Sequence, residues 1–348
     1  MQIDERKQKI LKAIVQDYIA TAEPVGSRTI SKKFELGVSP ATIRNEMSDL
    51  EEMGLIEQPH TSAGRIPSDA GYRYYVDYLM DPVQLSEDDK KKINKEISTR
   101  LNEIHEVMEY TGKLISQVTC LTSLVLEPKT KNSVLKKLHF LPYEEGKAIM
   151  VMVKDNGKVE NSVVDIGEDI TPEELQILAN IFNEKMSGTK AQDIKTVLLR
   201  EIYGELSRKR RMLDGILGIL GRMVNEFEEV DEGKVYLGGA LNMLNQPEFR
   251  DLDKVKDLFQ VFEESNKLKE LLNHDQQGLN ISIGSENIEQ VLKDCSIISA
   301  TYHINGKQIG SIGVLGPTRM DYSRAITIVD YMTKSLTEML TKKYRRTK

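Results

Sequence analysis

Tryptophan is absent from the 348 residues, aromatic side chains make up only 6%, and there are just two cysteines, Cys120 and Cys295. Cysteines so far apart form neither a disulfide framework nor a metal-ligand pattern. Both have apolar neighbours and read as buried free thiols of a reducing compartment. No apolar run approaches the ~20 residues that a membrane-spanning helix requires. The chain opens with Asp4-Glu5-Arg6-Lys7 rather than a leader sequence, so a cytoplasmic protein without membrane contact is expected. The histidines (His60, His105, His139, His274 and His303) are scattered, with no second ligand at metal spacing. No Ser/His/Asp constellation is legible, and Gly238-Gly239 lacks the flanking pattern of a nucleotide loop. The expectation is therefore no enzyme, no metal and no cofactor.

Excess positive charge is also missing. The formal net charge is -6, from 48 Lys and Arg against 54 Asp and Glu. Through Met80, ten cations (Arg6, Lys7, Lys9, Lys12, Arg28, Lys32, Lys33, Arg44, Arg65 and Arg73) face twelve acids. A nucleic-acid-binding segment there needs its charges segregated, with Arg28, Lys32, Lys33, Arg44 and Arg65 toward phosphate and the acids behind.

What is present is local punctuation. Ser27 suits a helix start, and Arg28 to Phe34 continue it until Gly37, which can adopt positive φ and reverse the chain. Ser39-Pro40 restarts a helix with a capping hydroxyl and a proline at the first helical position. Ile43, Met47 and Leu50 fall at i, i+4 and i+7, one apolar stripe. The opposite face carries Ser39, Thr42, Arg44, Asn45 and Ser48, of a length and chemistry that reach base edges in a major groove. After Gly54, two short extended arms flank Pro59 to Arg65, a wing from which Arg65 would extend toward a minor groove or phosphate. The spacing predicts a helix-turn-helix with a wing.

These residues carry a family resemblance. The run Val38 to Met47, then Leu50 to Ile56, His60 to Pro67 and Gly71-Tyr72-Arg73, resembles the winged-helix domain of the HrcA family of bacterial heat-inducible transcription repressors. Tyr236 to Leu244, Pro247-Glu248-Phe249 and Leu315 to Tyr322 are similar to that family's other recurring segments, so the resemblance covers essentially the whole chain.

Elsewhere the pattern is coarser. Ile10, Leu11, Ile14, Val15, Tyr18 and Ile19 recur at helical spacing in a support helix before the motif. A connecting helix over residues 87–118 carries a heptad seam at Ile97, Leu101, Ile104, Met108, Thr111, Ile115 and Val118. Three heptads leave open whether it zips to a second subunit or lies on a sheet of its own chain. Strand-like runs fill residues 124–164, with a hairpin turn at Asp155-Asn156-Gly157, and a helix follows Pro172. From about Lys190 the chain reads as helical, with a basic run at Arg208 to Arg211 taken as a solvated face and a second seam at Leu213, Leu217, Leu220, Val224 and Phe227. Two such seams exceed one domain's needs, so the second is assigned to self-association. Residues 252–272 read as one helix and Asn305-Gly306 as a hairpin turn. A final helix bears Ile326, Val329, Met332, Leu336 and Leu340 before a frayed basic tail. Arg319 and Asp321 read as an ion pair at its start or as a signalling contact.

The expected class is α+β: an N-terminal winged helix-turn-helix over residues 1–80, then a domain over 119–188 and 245–341, interrupted by a dimerising insert at 189–244. That the second domain is GAF-like, and that the insert dimerises, is what the resemblance implies. It further implies a homodimer on an inverted-repeat operator in double-stranded DNA upstream of chaperone genes, kept folded by the chaperonin GroEL and lost on heating. Ser39, Thr42, Arg44 and Asn45 would read bases, Ser27 and Arg28 would hold phosphate, and His60 and Arg65 would act from the wing. The alternative is a metabolite-gated regulator with an effector in the GAF-like domain.

Overall fold

Asp4 accepts the Lys7 amide through its side chain and launches α1 (Glu5–Thr21), which buries Ile10, Leu11, Ile14 and Val15. Then come α2 (Ser27–Lys33) and α3 (Pro40–Glu52), joined by a turn in which Gly37 has φ of 68°. Ser27 does not cap α2. The cap is Gly26, whose carbonyl accepts the Thr29 and Ile30 amides, because Val25 just before it is held extended by paired hydrogen bonds to the Arg65 backbone. The wing is β1 (Ile56–Glu57) paired antiparallel with β2 (Ile66–Pro67). Ser68 caps α4 (Asp69–Tyr74), which continues as a π turn over Tyr75–Leu79.

The computed structural model describes residues 3–61, 63–81, 83–87, 90–91, 93, 104–128, 134–154, 159–166, 170–188, 233–272, 278–304 and 306–346. Its contacts separate residues 1–127 with 235–348 from residues 128–234. In the first unit, α5 (Ile104–Thr119) precedes β3 (Thr122–Leu126), the second strand from one edge of a five-stranded antiparallel sheet. The other strands are β7 (Val235–Gly238), β8 (Leu279–Ile283), β9 (Cys295–Ile304) and β10 (Lys307–Pro317), in spatial order β7-β3-β10-β9-β8. The second unit holds β4 (Leu135–Glu144), β5 (Lys147–Lys154) and β6 (Val159–Asp165), a sheet of their own, covered by α6 (Pro172–Met186).

This corrects the expected domain limits. β3 is paired on both edges, with β10 and β7, so no edge is left for the strands that follow it in sequence. The separate unit therefore begins at 128 rather than 189, and residues 235–244 belong with the sheet rather than with an insert. Strand alternation divides the sheet's two faces. Val125, Ile298, Ala300, Tyr302, Ile312 and Val314 pack toward α5 and the final helix α9 (Tyr322–Arg346), in one cluster with the winged-helix core. Leu124, Leu126, Ile297 and Leu315 pack toward α7 (Leu252–Glu263) and α8 (Ser265–Leu272).

Other expectations change too. The first seam lies on its own chain, since Met108, Thr111 and Ile115 are buried in that cluster or at its edge, while Ile97 and Leu101 lie outside the described residues. The second seam, Leu213 to Phe227, and the basic run also lie outside them. The helix expected over 252–272 breaks at Glu264, whose ψ of 91° is extended. The basic tail stays helical to Arg346. Cys120 is exposed and only Cys295 is buried, the latter's thiol pushed up to about 12 by burial. A neutral thiol reagent at pH 8 is expected to modify one cysteine per native chain and two after unfolding; two in the native protein would contradict this packing.

Candidate nucleic-acid interface

The second helix of the motif is prepared by its own first turn. Ser39, at φ −67° and ψ 154°, accepts the Thr42 amide at 3.2 Å, and its Oγ lies 3.0 Å from Thr42 Oγ1, so these two hydroxyls are engaged with each other at the cap. Ile43, Met47 and Leu50 are buried, as their spacing requires. Arg44, Asn45 and Ser48 stand exposed on the other face. A helix presenting its N-terminal half in this way has the form that enters a major groove.

Charge is sorted by ion pairs reaching across the fold. Lys7 of α1 contacts Glu46 at 2.8 Å and Asp49 at 3.0 Å, and Arg6 reaches Glu46 at 3.4 Å. The hydrogen bond to Glu46, then those to Asp49 and Asp4, hold the Lys7 ammonium well above the ordinary lysine range. Lys9 pairs with Glu5, Lys12 with Asp81, Lys33 with Asp17, Arg65 with Glu51 and Arg73 with Glu286. Arg28, Lys32 and Arg44 remain, with no ion pair among the described residues. A segment with more acids than cations thus leaves a small positive set on the helix-turn-helix while three of the four acids of α3 are engaged elsewhere. The expectation of five outward cations is corrected to three, since Lys33 and Arg65 are held back.

The wing also differs from its expected form. Arg65 does not project. Its Nε and Nη2 lie 2.9 and 2.7 Å from Glu51 Oε2, its side chain is 21% exposed, and its backbone pairs with Val25 at the base of the wing. It is a strut between the wing and the end of α3. Gly64 is needed for approach rather than for the turn, because a Cβ there would lie 2.6 Å from the Val25 carbonyl. At the tip His60 is exposed, and Gln58 Nε2 donates to the Thr61 and Ala63 carbonyls at 3.0 and 3.1 Å, bracing the loop. Ser27 and Arg28 stand at the start of α2, Ser27 half-buried and Arg28 exposed. Sequence reading missed Lys7, Glu51 and Gln58 as supports. Only Gln58, three and five residues from its partners, lay close enough in the chain for local reasoning to find.

No metal-binding group of three or more His, Cys, Asp or Glu occurs among the described residues, and none of the described helices is long and apolar enough to cross a membrane.

Comparison with known proteins agrees with this geometry. A family model described as "Winged helix-turn-helix transcription repressor, HrcA DNA-binding" matches residues 2–75, and one described as "HrcA protein C terminal domain" matches residues 105–326. The chain is 57% identical over 345 residues to the "Heat-inducible transcription repressor HrcA" of Desulfitobacterium hafniense, covering 99% of this chain and 100% of that protein. It is 48% identical to the protein of the same name from Desulforamulus reducens, covering 98% of each. Among solved structures, a crystal structure of a protein described only as hypothetical shares the fold with a TM-score of 0.63 at 23% identity, over 98% of this chain and 99% of that one.

Proposed function

This chain belongs to the HrcA family of heat-inducible transcription repressors, and on that premise we propose that it represses heat-shock genes by binding, as a homodimer, an inverted-repeat operator upstream of chaperone genes. The observation that carries the reading is the sorted charge of the motif. Arg44 and Asn45 face outward on the leading half of α3, and Glu46, Asp49 and Glu51 are tied to Lys7, Arg6 and Arg65. In this reading Arg44 and Asn45 read base edges with Ser39 and Thr42 beside them, Ser27 and Arg28 engage phosphate, and His60 approaches from the wing. Arg65 acts through Glu51, holding the wing against α3. A two-fold dimer requires an operator whose half-sites mirror the separation of its two recognition helices. Leu213, Leu217, Leu220, Val224 and Phe227 are the residues proposed for self-association. GroEL is the proposed partner that maintains the active fold, and its titration by heat-unfolded clients relieves repression.

The test is binding to a labelled duplex carrying both half-sites, to one carrying a single half-site and to a scrambled duplex, each with and without chaperonin. Tight binding to the paired site alone is expected, with active protein recovered by chaperonin after mild heating. Arg28 and Lys32 from two protomers would neutralise four phosphates, so log affinity should fall against log salt with a slope of about −4. Equal affinity for all three duplexes would overturn the operator reading. A small molecule that released the operator without unfolding the protein would favour an effector-gated regulator instead.

A further inference from the structure

The motif Leu315 to Tyr322 was singled out in the sequence, yet nothing in DNA reading uses it. The structure shows where its arginine goes. Arg319, 12% exposed, donates from Nε to Glu248 Oε1 at 2.6 Å and from Nη2 to Gln246 Oε1 at 3.2 Å. Its Nη1 donates to the Ile19 carbonyl at 2.8 Å. Asp321 is not its partner; that carboxylate accepts the Arg324 amide at the start of α9.

Ile19 lies in the last turn of α1, where carbonyls lack helical partners and the helix carries partial negative charge. α1 has no basic residue in that turn and ends with Ala22 in the left-handed region at φ 57°. Its C-terminal cation is thus supplied from 300 residues away, by a side chain whose other bonds are to the sheet-bearing part of the chain. At the other end of the helix, Lys7 holds Glu46 and Asp49 of α3. The 17 residues of α1 make a rod of about 25 Å, anchored to the body at one end and to the recognition helix at the other.

Further contacts lie along the same boundary. Arg73 forks onto Glu286 at 2.8 and 2.5 Å and donates to the Ile281 carbonyl at 2.7 Å. Asp69 accepts the Ser285 amide at 2.8 Å, beside Gly284, where a Cβ would lie 2.2 Å from the Asp69 carboxylate. Tyr72 and Tyr322 pack with ring centroids 5.7 Å apart. The winged helix is therefore locked to the body rather than tethered to it.

We propose that Arg319 is a positioning residue for DNA recognition: by clamping the end of α1 to Glu248 and Gln246, it sets the direction in which the body holds the recognition helix, and so the half-site spacing a dimer can span. The spacing part rests on the operator reading above; the clamp itself does not.

The experiment has two readouts. Spin labels on native Cys120 and on an introduced Glu52→Cys, with excess unlabelled chain, report the distance between body and head without DNA. A single narrow distribution is expected in the parent, one at least twofold broader in Arg319→Gln, and recovery in Arg319→Lys. Equal widths would overturn the clamp. In binding, Arg319→Gln is expected to lose tenfold or more on the paired site, to keep its affinity for a single half-site, and to tolerate spacings altered by one or two base pairs. Equal loss on paired and single sites would assign Arg319 a merely structural role and overturn the proposal. A parent chain that cannot distinguish the two duplexes would sink the operator reading, while the label distances would still decide the clamp. If Arg319→Gln does not fold, Glu248→Gln loosens the same clamp while leaving the bond to Ile19, and equal widths in it would count equally against the proposal.

Discussion

Gly71→Ala should melt the protein well below the parent temperature. A methyl at position 71 would lie 1.9 Å from the Leu55 carbonyl oxygen, inside any possible contact distance, and 3.0 Å from its carbon. Leu55 precedes the first wing strand, and its carbonyl also accepts the Ser68 amide, so it has no free side on which to retreat. Either α4 moves off the wing or the wing moves off α3. Overpacking of this kind, against backbone rather than a flexible side chain, costs about 3 kcal/mol. For a cooperative unit of this size that is a fall in Tm of about 6–12 °C. The control is Gly37→Ala. Gly37 also has a special conformation, φ 68°, but nothing lies within 4 Å of its missing Cβ, so only backbone strain of about 1 kcal/mol is expected. Calorimetry of both variants decides; a Gly71→Ala midpoint equal to that of Gly37→Ala would contradict the close approach.

The second large effect is on binding. Arg44 is exposed and has no ion pair among the described residues, so its removal should leave the melting temperature unchanged. If it makes a bidentate contact to guanine in each half-site, Arg44→Ala removes about 1–3 kcal/mol per half-site. Over two protomers that is a loss of roughly 30-fold to 20,000-fold on the paired operator, using tenfold per 1.4 kcal/mol. Binding to scrambled DNA should barely change, because a base contact contributes little there. Arg28→Ala should do the reverse, weakening all duplexes alike and reducing the salt slope by about 2 for the dimer. Titrations of each variant on specific and scrambled duplexes separate the two roles. An Arg44→Ala loss that is the same on both duplexes would mean that Arg44 touches phosphate rather than bases.

The parts of the molecule that were legible in the chain are those whose causes are local. Ser39-Pro40 starts α3 because a cap and its amide are three residues apart, and Gly37 makes the turn because φ is a property of one residue. The buried stripe of Ile43, Met47 and Leu50 follows from 3.6 residues per turn. The paired strands β9 and β10 follow from apolar runs on either side of a turn. Where local reasoning failed, a distant partner had decided. Ser27 lost its capping role because Val25 is pinned by the Arg65 backbone. The strands after Cys120 were expected in one domain over 119–188, but β3 takes both its neighbours from beyond residue 234.

Charge shows the division most clearly. By itself the sequence determined that the recognition helix exists, which face it shows, and that its leading half carries Arg44 and Asn45. The ten cations and twelve acids through Met80 could not be sorted from the chain. Only the tertiary structure decided that Lys7 neutralises acids about 40 residues away, that Arg65 is paired with Glu51, and that Arg319 completes a helix begun at Glu5. The physical reason is that capping and helical periodicity act through covalent spacing, whereas an ion pair acts through distance in space, and the fold alone sets which charges come within 4 Å of one another.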